Sequence, residues 1–115
     1  MKVTLFKTHD VTRVQKDITA DIIEGQAEQH VELKFCEHDD KIKSGIWEST
    51  AGVFTADYDG IVEFCHILEG EAWVKAEDGT VTHVSAGDGF VLEAGLKTQW
   101  TVKTFVKKHF MICQL

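Results

Sequence analysis

Apolar and polar residues alternate with a period of two along most of this chain. From His30 to Cys36, Val31, Leu33 and Phe35 fall on one face, with Glu32, Lys34 and Cys36 on the other. From Ile61 to Leu68, Glu63, Cys65 and Ile67 share one face, and Phe64, His66 and Leu68 share the other. Gly45 to Thr50 reads as a strand ended by Ala51-Gly52, and Val53 to Ala56 leads into the loop Asp57-Tyr58-Asp59-Gly60. Ala72–Ala76 and Thr80–Val84 flank Glu77-Asp78-Gly79, a hairpin signal. Phe90–Leu92 lies between the turns Ala86–Gly89 and Ala94-Gly95, and Trp100–Val106 and Lys107–Cys113 read as the last strands.

The beginning of the chain is less regular. Val3, Leu5, Val11 and Val14 suggest a short edge strand and a connection. Ile18, Ile22 and Ile23 have helical spacing, but Glu24-Gly25 would end a helix early, so residues 18–29 read as a turn or irregular arm. The charged run Glu37-His38-Asp39-Asp40-Lys41 reads as a surface loop. Short strands, frequent turn signals and no amphipathic helix predict an all-β barrel or sandwich.

At 115 residues the chain is predicted to form one domain. A formal charge of −7 argues against a phosphate-neutralising nucleic-acid surface. The three cysteines lack metal-type spacing and read as free thiols in a reducing compartment. The first residues contain no apolar leader core, and no apolar run approaches the roughly 20 residues of a membrane span. A cytoplasmic protein with neither a nucleic-acid nor a membrane partner is therefore expected.

In order and spacing, several short stretches resemble the cupin superfamily. Glu63 and Gly70 match the end of its first motif; Gly87, Glu93 and Gly95 match the start of its second, with Glu93 where proline is usual. More closely, Gly45-Ile46-Trp47-Glu48, Ala51-Gly52-Val53-Phe54, the run Glu63–Glu71, Ala86-Gly87-Asp88, Ala94-Gly95-Leu96-Lys97, Trp100 and Val106–His109 resemble one small cupin family. That family includes ethanolamine-utilisation cupins and is named after ureidoglycine aminohydrolase. The resemblance implies a cupin jelly-roll β-barrel (a double-stranded β-helix) in a single domain, with residues 1–20 as N-terminal arm or edge strand and 21–113 as barrel. It also implies a homodimer, for which the numerous apolar strand faces and the N-terminal segment are suited.

The cupin metal site uses three histidines and one glutamate. Here the first two histidine positions fall at Asp57 and Asp59, or at Tyr58 and Gly60, and the third at Thr98. Only Glu63 remains of the usual ligands. No cofactor is expected; a divalent metal is the disfavoured alternative, with Glu63 and either Asp57 or Asp59 as its ligands. His66 faces away from Glu63 and reads as a half-buried histidine, although it would meet His109 if their strands were neighbours.

Glu63 is the sharpest candidate. Pointing into a barrel lined by Trp47, Phe54, Cys65 and Trp100, it would serve as a general acid or base. The alternative is a carboxylate paired with a lysine or hydrogen-bonded to Tyr58. Cys65 reads mainly as a small buried hydrophobe. The expected function is binding of a small polar or nitrogen-containing metabolite around Glu63, with Trp47, Phe54, Tyr58, Cys65, Thr98, Gln99 and Trp100 as ligand-binding residues. Two alternatives are a hydrolase or isomerase of a small ureide or amino metabolite, and a structural or accessory subunit with a filled barrel.

Overall fold

A computed structural model describes residues Met1–Leu115. Its strands are β1 (Val14–Lys16), β2 (Ile22–Gly25), β3 (Gln29–Glu37), β4 (Ile42–Asp57), β5 (Ile61–Ala76), β6 (Val81–Ser85), β7 (Gly89–Leu92) and β8 (Lys97–Gln114). They form one eight-stranded sheet in the order β1-β3-β4-β8-β5-β6, with β2 beside β4 and β7 beside β5. All pairings are antiparallel. No helix is long and apolar enough to cross a membrane.

The 18-residue β8 is the spine. Its first half pairs with the end of β4 and the end of β5; its second half pairs with the start of each. Three strands are therefore longer than the sequence reading allows. Ala51-Gly52 and Gly70 do not end strands, and Trp100–Val106 is continuous with Lys107–Cys113. Register shifts at Thr50/Gly52, Ile67/Glu69 and Gly70/Trp73 absorb the irregular residues while pairing to β8 continues. Such bulges bend and twist strands, which lets a single sheet roll around a core.

Gly70 shows why one of these positions is glycine. Its φ is +77°, and a Cβ there would fall on the Phe105 carbonyl oxygen of the neighbouring β8. Only a residue without a side chain allows the two strands to approach at that point.

A register shift in β3 changes which residues face inward. Leu33 lies opposite Gly45 and Phe35 opposite Ser44, so Lys34 is the extra residue. Phe35 thus leaves the face shared by Val31 and Leu33, contrary to simple alternation. Lys34 becomes buried, and its Nζ donates to the His9 carbonyl at 2.9 Å. That bond helps hold the N-terminal arm, where Phe6 meets His109 edge-on at 5.3 Å between centroids. Val3 and Leu5 are exposed and form no strand; β1 starts later and pairs with β3 of the same chain. The expected irregular arm contains a 3-10 turn at Thr19–Asp21 followed by β2, whose pairing to β4 supplies what the broken helical spacing could not.

Cys65, Ile67, Ala72 and Val106 are fully buried, and Trp100 and Val102 nearly so. Ile67, Ala72, Val102 and Val106 close one half of the roll. The other half is open.

Candidate functional site

The open half contains a cavity of about 560 Å³, lined from β1, the segment Ile18–Asp21, β3, β4, β5, β8 and the loop carrying Tyr58. That volume is in the range that encloses a small molecule. Alternation places Glu63 inward from β5, beside Cys65 two residues on. On β8, Val106, Lys108, Phe110 and Ile112 take the inward positions. Lys108 is opposite Ile67 while Glu63 is opposite Ile112, so the lysine's four-carbon stem must run along the barrel to reach the carboxylate.

The meeting point is tightly built. Lys108 Nζ donates to Glu63 Oε2 at 2.7 Å and to Cys65 Sγ at 3.3 Å, while the Cys65 thiol donates to the same Oε2 at 3.0 Å. The ammonium lies 4.7 Å from the ring centre of Trp47 and 4.9 Å from that of Trp100. Those indoles pack against each other at 5.6 Å, and Phe54 stacks on Trp100 at 6.3 Å. A desolvated cation is stabilised by a carboxylate and by the negative faces of aromatic rings; here both act on one ammonium.

Burial alone would pull the Lys108 ammonium below its ordinary range, but the charge of Glu63, aided by Cys65 and Tyr58, outweighs it and the group is raised. Burial pushes the Cys65 thiol up to about 12 and the Tyr58 phenol up to about 12, although Lys108 opposes both shifts. At neutral pH the site therefore holds an ammonium, a protonated thiol and a protonated phenol. Cys65 has none of the thiolate character a nucleophile needs. The buried Trp100 indole N–H favours the ionised Tyr58 slightly without meeting hydrogen-bond geometry, and is left unpaired.

These shifts predict an alkaline limit to stability. Unfolded, Cys65, Tyr58 and Lys108 lose their protons near 9.0, 10.0 and 10.5; folded, they hold them to higher pH. Above pH 9 the folded state binds more protons than the unfolded one, so stability falls as pH rises. Urea midpoints measured from pH 8 to 11 are expected to drop steadily, and Cys65→Ala to drop less steeply. A midpoint independent of pH across this window would contradict the buried cluster.

Of the residues expected at a site, Trp47, Phe54, Tyr58, Glu63 and Asp57 line the cavity, and Cys65 and Trp100 lie behind its floor. Thr98, Gln99 and Asp59 do not line it. Thr98 is buried, and its hydroxyl donates to the Ala56 carbonyl at 2.7 Å, a bond between neighbouring strands. Alternation missed Lys108 as a partner for Glu63, and missed Gln29, whose Oε1 accepts from the Trp47 indole N–H at 3.1 Å. Lys108 carried a readable signal, since a charged residue at an inward position between Val106 and Phe110 is as anomalous as Glu63.

The donor set does not fit the four-ligand metal site that the cupin pattern implies. No imidazole lines the cavity, no three metal-ligating side chains converge, and Glu63 Oε2 is already bonded to an ammonium and a thiol. Lys108 puts a positive charge of the protein's own beside the one remaining ligand residue.

The histidines lie elsewhere. His66 and His109 are direct cross-strand neighbours on the outer face. Burial, then His66 and Lys107, hold the His109 imidazole below its ordinary range. His83 contacts Glu71 at 3.0 Å and stacks on Trp73 at 4.7 Å.

The family model for the EutQ-like cupin domain matches residues 36–110. Among solved structures, a DUF861-family protein of unknown function from Pseudomonas syringae pv. tomato superposes with a TM-score of 0.77 at 19% identity, over 89% of this chain and 44% of that one. The Clostridium difficile EutQ protein gives 0.68 at 16%, over 76% of this chain and 64% of that one. A DUF861-family protein from Thermotoga maritima gives 0.54 at 38%, over 56% of this chain and 73% of that one. The chain thus spans less than two thirds of the Pseudomonas and Clostridium proteins. No curated protein matches the sequence.

Proposed function

The chain belongs to the family of EutQ-like cupin domains, and from that premise we propose that it is a small-molecule binding module. Its ligand is a small polar or nitrogen-containing metabolite held in the barrel above the Lys108–Glu63 pair. One observation carries this reading: a cavity of about 560 Å³, walled by both apolar and polar side chains, has a buried, mutually neutralising ion pair as its floor. A few placed polar groups in a largely apolar concavity are what orient a small ligand. A filled barrel, the structural alternative, has no use for such a volume.

The hydrolase or isomerase alternative has less support. Lys108 and Cys65 both donate to Glu63 Oε2, and the ammonium beside the carboxylate lowers its basicity, which weakens it as a general base.

Thermal denaturation in the presence of small amides, amines and sugars tests the binding reading. A ligand at 100 times its Kd stabilises the folded state by about 2.7 kcal/mol, a readily measured rise in Tm. At least one class is expected to raise Tm in the wild type and to lose that effect in Val31→Trp, which places an indole in the cavity. The reading fails if no compound shifts Tm at millimolar concentration, or if Val31→Trp leaves every shift intact.

A further inference from the structure

Lys108 Nζ, Glu63 Oε2 and Cys65 Sγ form a closed triangle. Nζ lies 2.7 Å from Oε2 and 3.3 Å from Sγ, and Sγ lies 3.0 Å from Oε2. Carboxylate oxygen and cysteine sulfur both ligate divalent metals, so two corners are metal donors and the third is a cation. An ion bonded to that oxygen and sulfur at about 2.1 and 2.3 Å would subtend roughly 90° across their 3.0 Å separation. Widening the pair by about 0.6 Å makes the angle tetrahedral. The cupin pattern assigns a metal to the place beside Glu63; here a lysine from β8 reaches it.

The surroundings suit an ammonium better than a metal ion. Trp47 and Trp100 have ring centres 4.7 and 4.9 Å from Nζ, and an aromatic face attracts a cation without offering a lone pair to coordinate it. Burial pushes the Cys65 thiol up to about 12, and the thiolate is the form that ligates. Access is not what keeps ions out. Glu63 and Lys108 both line the cavity, so an ion entering it would reach this place if the lysine left it free.

We propose that the Lys108 ammonium is a built-in cation in the place of the cupin metal, and that this one side chain excludes divalent ions from a latent metal site. It supplies the positive charge a metal would bring, without exchange and without an open coordination position. Glu63 and Cys65 are the latent ligands, and Lys108 decides whether they act as such. The inference concerns the floor of the cavity and stands apart from the binding reading above.

The test is a gain of function in Lys108→His. Histidine is shorter than lysine by about one metal–nitrogen bond, roughly 2 Å, so an ion held by an imidazole at position 108 falls close to where Nζ lies. Cobalt(II) is the probe, because a bound cysteine thiolate gives a charge-transfer absorption band that imidazole and carboxylate do not. That band separates this site from the outer face, where His66 and His109 lie side by side. Titrated with cobalt(II), Lys108→His is expected to develop the band and the wild type is not. Adding Cys65→Ala to the histidine variant is expected to abolish it. Excess zinc is expected to raise the Tm of Lys108→His by more than that of the wild type. If the variant does not fold alone, refolding with zinc is expected to recover it. The inference is overturned by a band in the wild type that Glu63→Gln removes, or by a folded Lys108→His that shows no band. Failure of zinc to recover an unfolded Lys108→His overturns it equally.

Discussion

Lys108→Met is expected to destabilise the protein by about 3–5 kcal/mol, because it leaves the Glu63 charge buried without its partner. The lysine and glutamate side chains are only 6% and 9% exposed, so water makes up for the missing ion only in part. Cys65 would remain as the sole hydrogen-bond donor to Glu63 Oε2. Glu63→Leu alone is expected to be comparably harmful, since it strands the ammonium between Trp47 and Trp100.

The double variant separates stability from function. With both charges replaced by apolar groups of similar volume, Lys108→Met with Glu63→Leu is expected to recover most of the loss or to exceed wild-type stability. Urea midpoints at neutral pH, with m-values to check that compactness is unchanged, provide the measurement. A single variant costing less than about 1 kcal/mol would mean that the pair is solvated in solution. A stable double variant that no longer binds ligand would show that the ion pair is retained for recognition.

Gly70→Ala should produce the second large effect. At φ +77° an L-residue carries about 1–2 kcal/mol of left-handed strain, and the new Cβ would also collide with the Phe105 carbonyl of β8. Backbone cannot move aside as a flexible side chain can, so the strands must separate where the roll bends. A total loss above about 3 kcal/mol is expected. Gly79→Ala is the control: its φ is +88°, but nothing lies within 4 Å of the new Cβ. It should show only the conformational part, about 1–2 kcal/mol. Equal midpoints for the two variants would show that strand proximity at Gly70 adds nothing.

The strands and turns were legible because their information is local, and the barrel followed from the cupin resemblance. Alternation at Glu63–Ile67 correctly assigns the inward face, and the Glu77-Asp78-Gly79 hairpin forms where its turn residues place it, with Lys75 opposite Val81. Both depend on residues adjacent in the chain. Strand length was read less well, since glycines at Gly52 and Gly70 signal a break in one strand but not whether a neighbour keeps the ladder going. The Leu33–Phe35 shift was hidden for the same reason: only pairing with Gly45 and Ser44 makes Lys34 the extra residue.

By itself, the sequence determined an all-β fold and an inward carboxylate at Glu63, because a period of two and turn chemistry are properties of consecutive residues; the cupin barrel followed from the resemblance of its short motifs to that family. It contained Lys108 as an equally anomalous inward charge. What only the tertiary structure decided is that these two charges neutralise each other, that Gln29 and Trp47 form a second polar pair beside them, and that His66 meets His109 on the outside. Each of these contacts depends on strand order and register between distant segments, set by the packing of the whole sheet. Glu63 is thus identifiable from its own strand, while its chemistry is determined by β8, 45 residues away at Lys108.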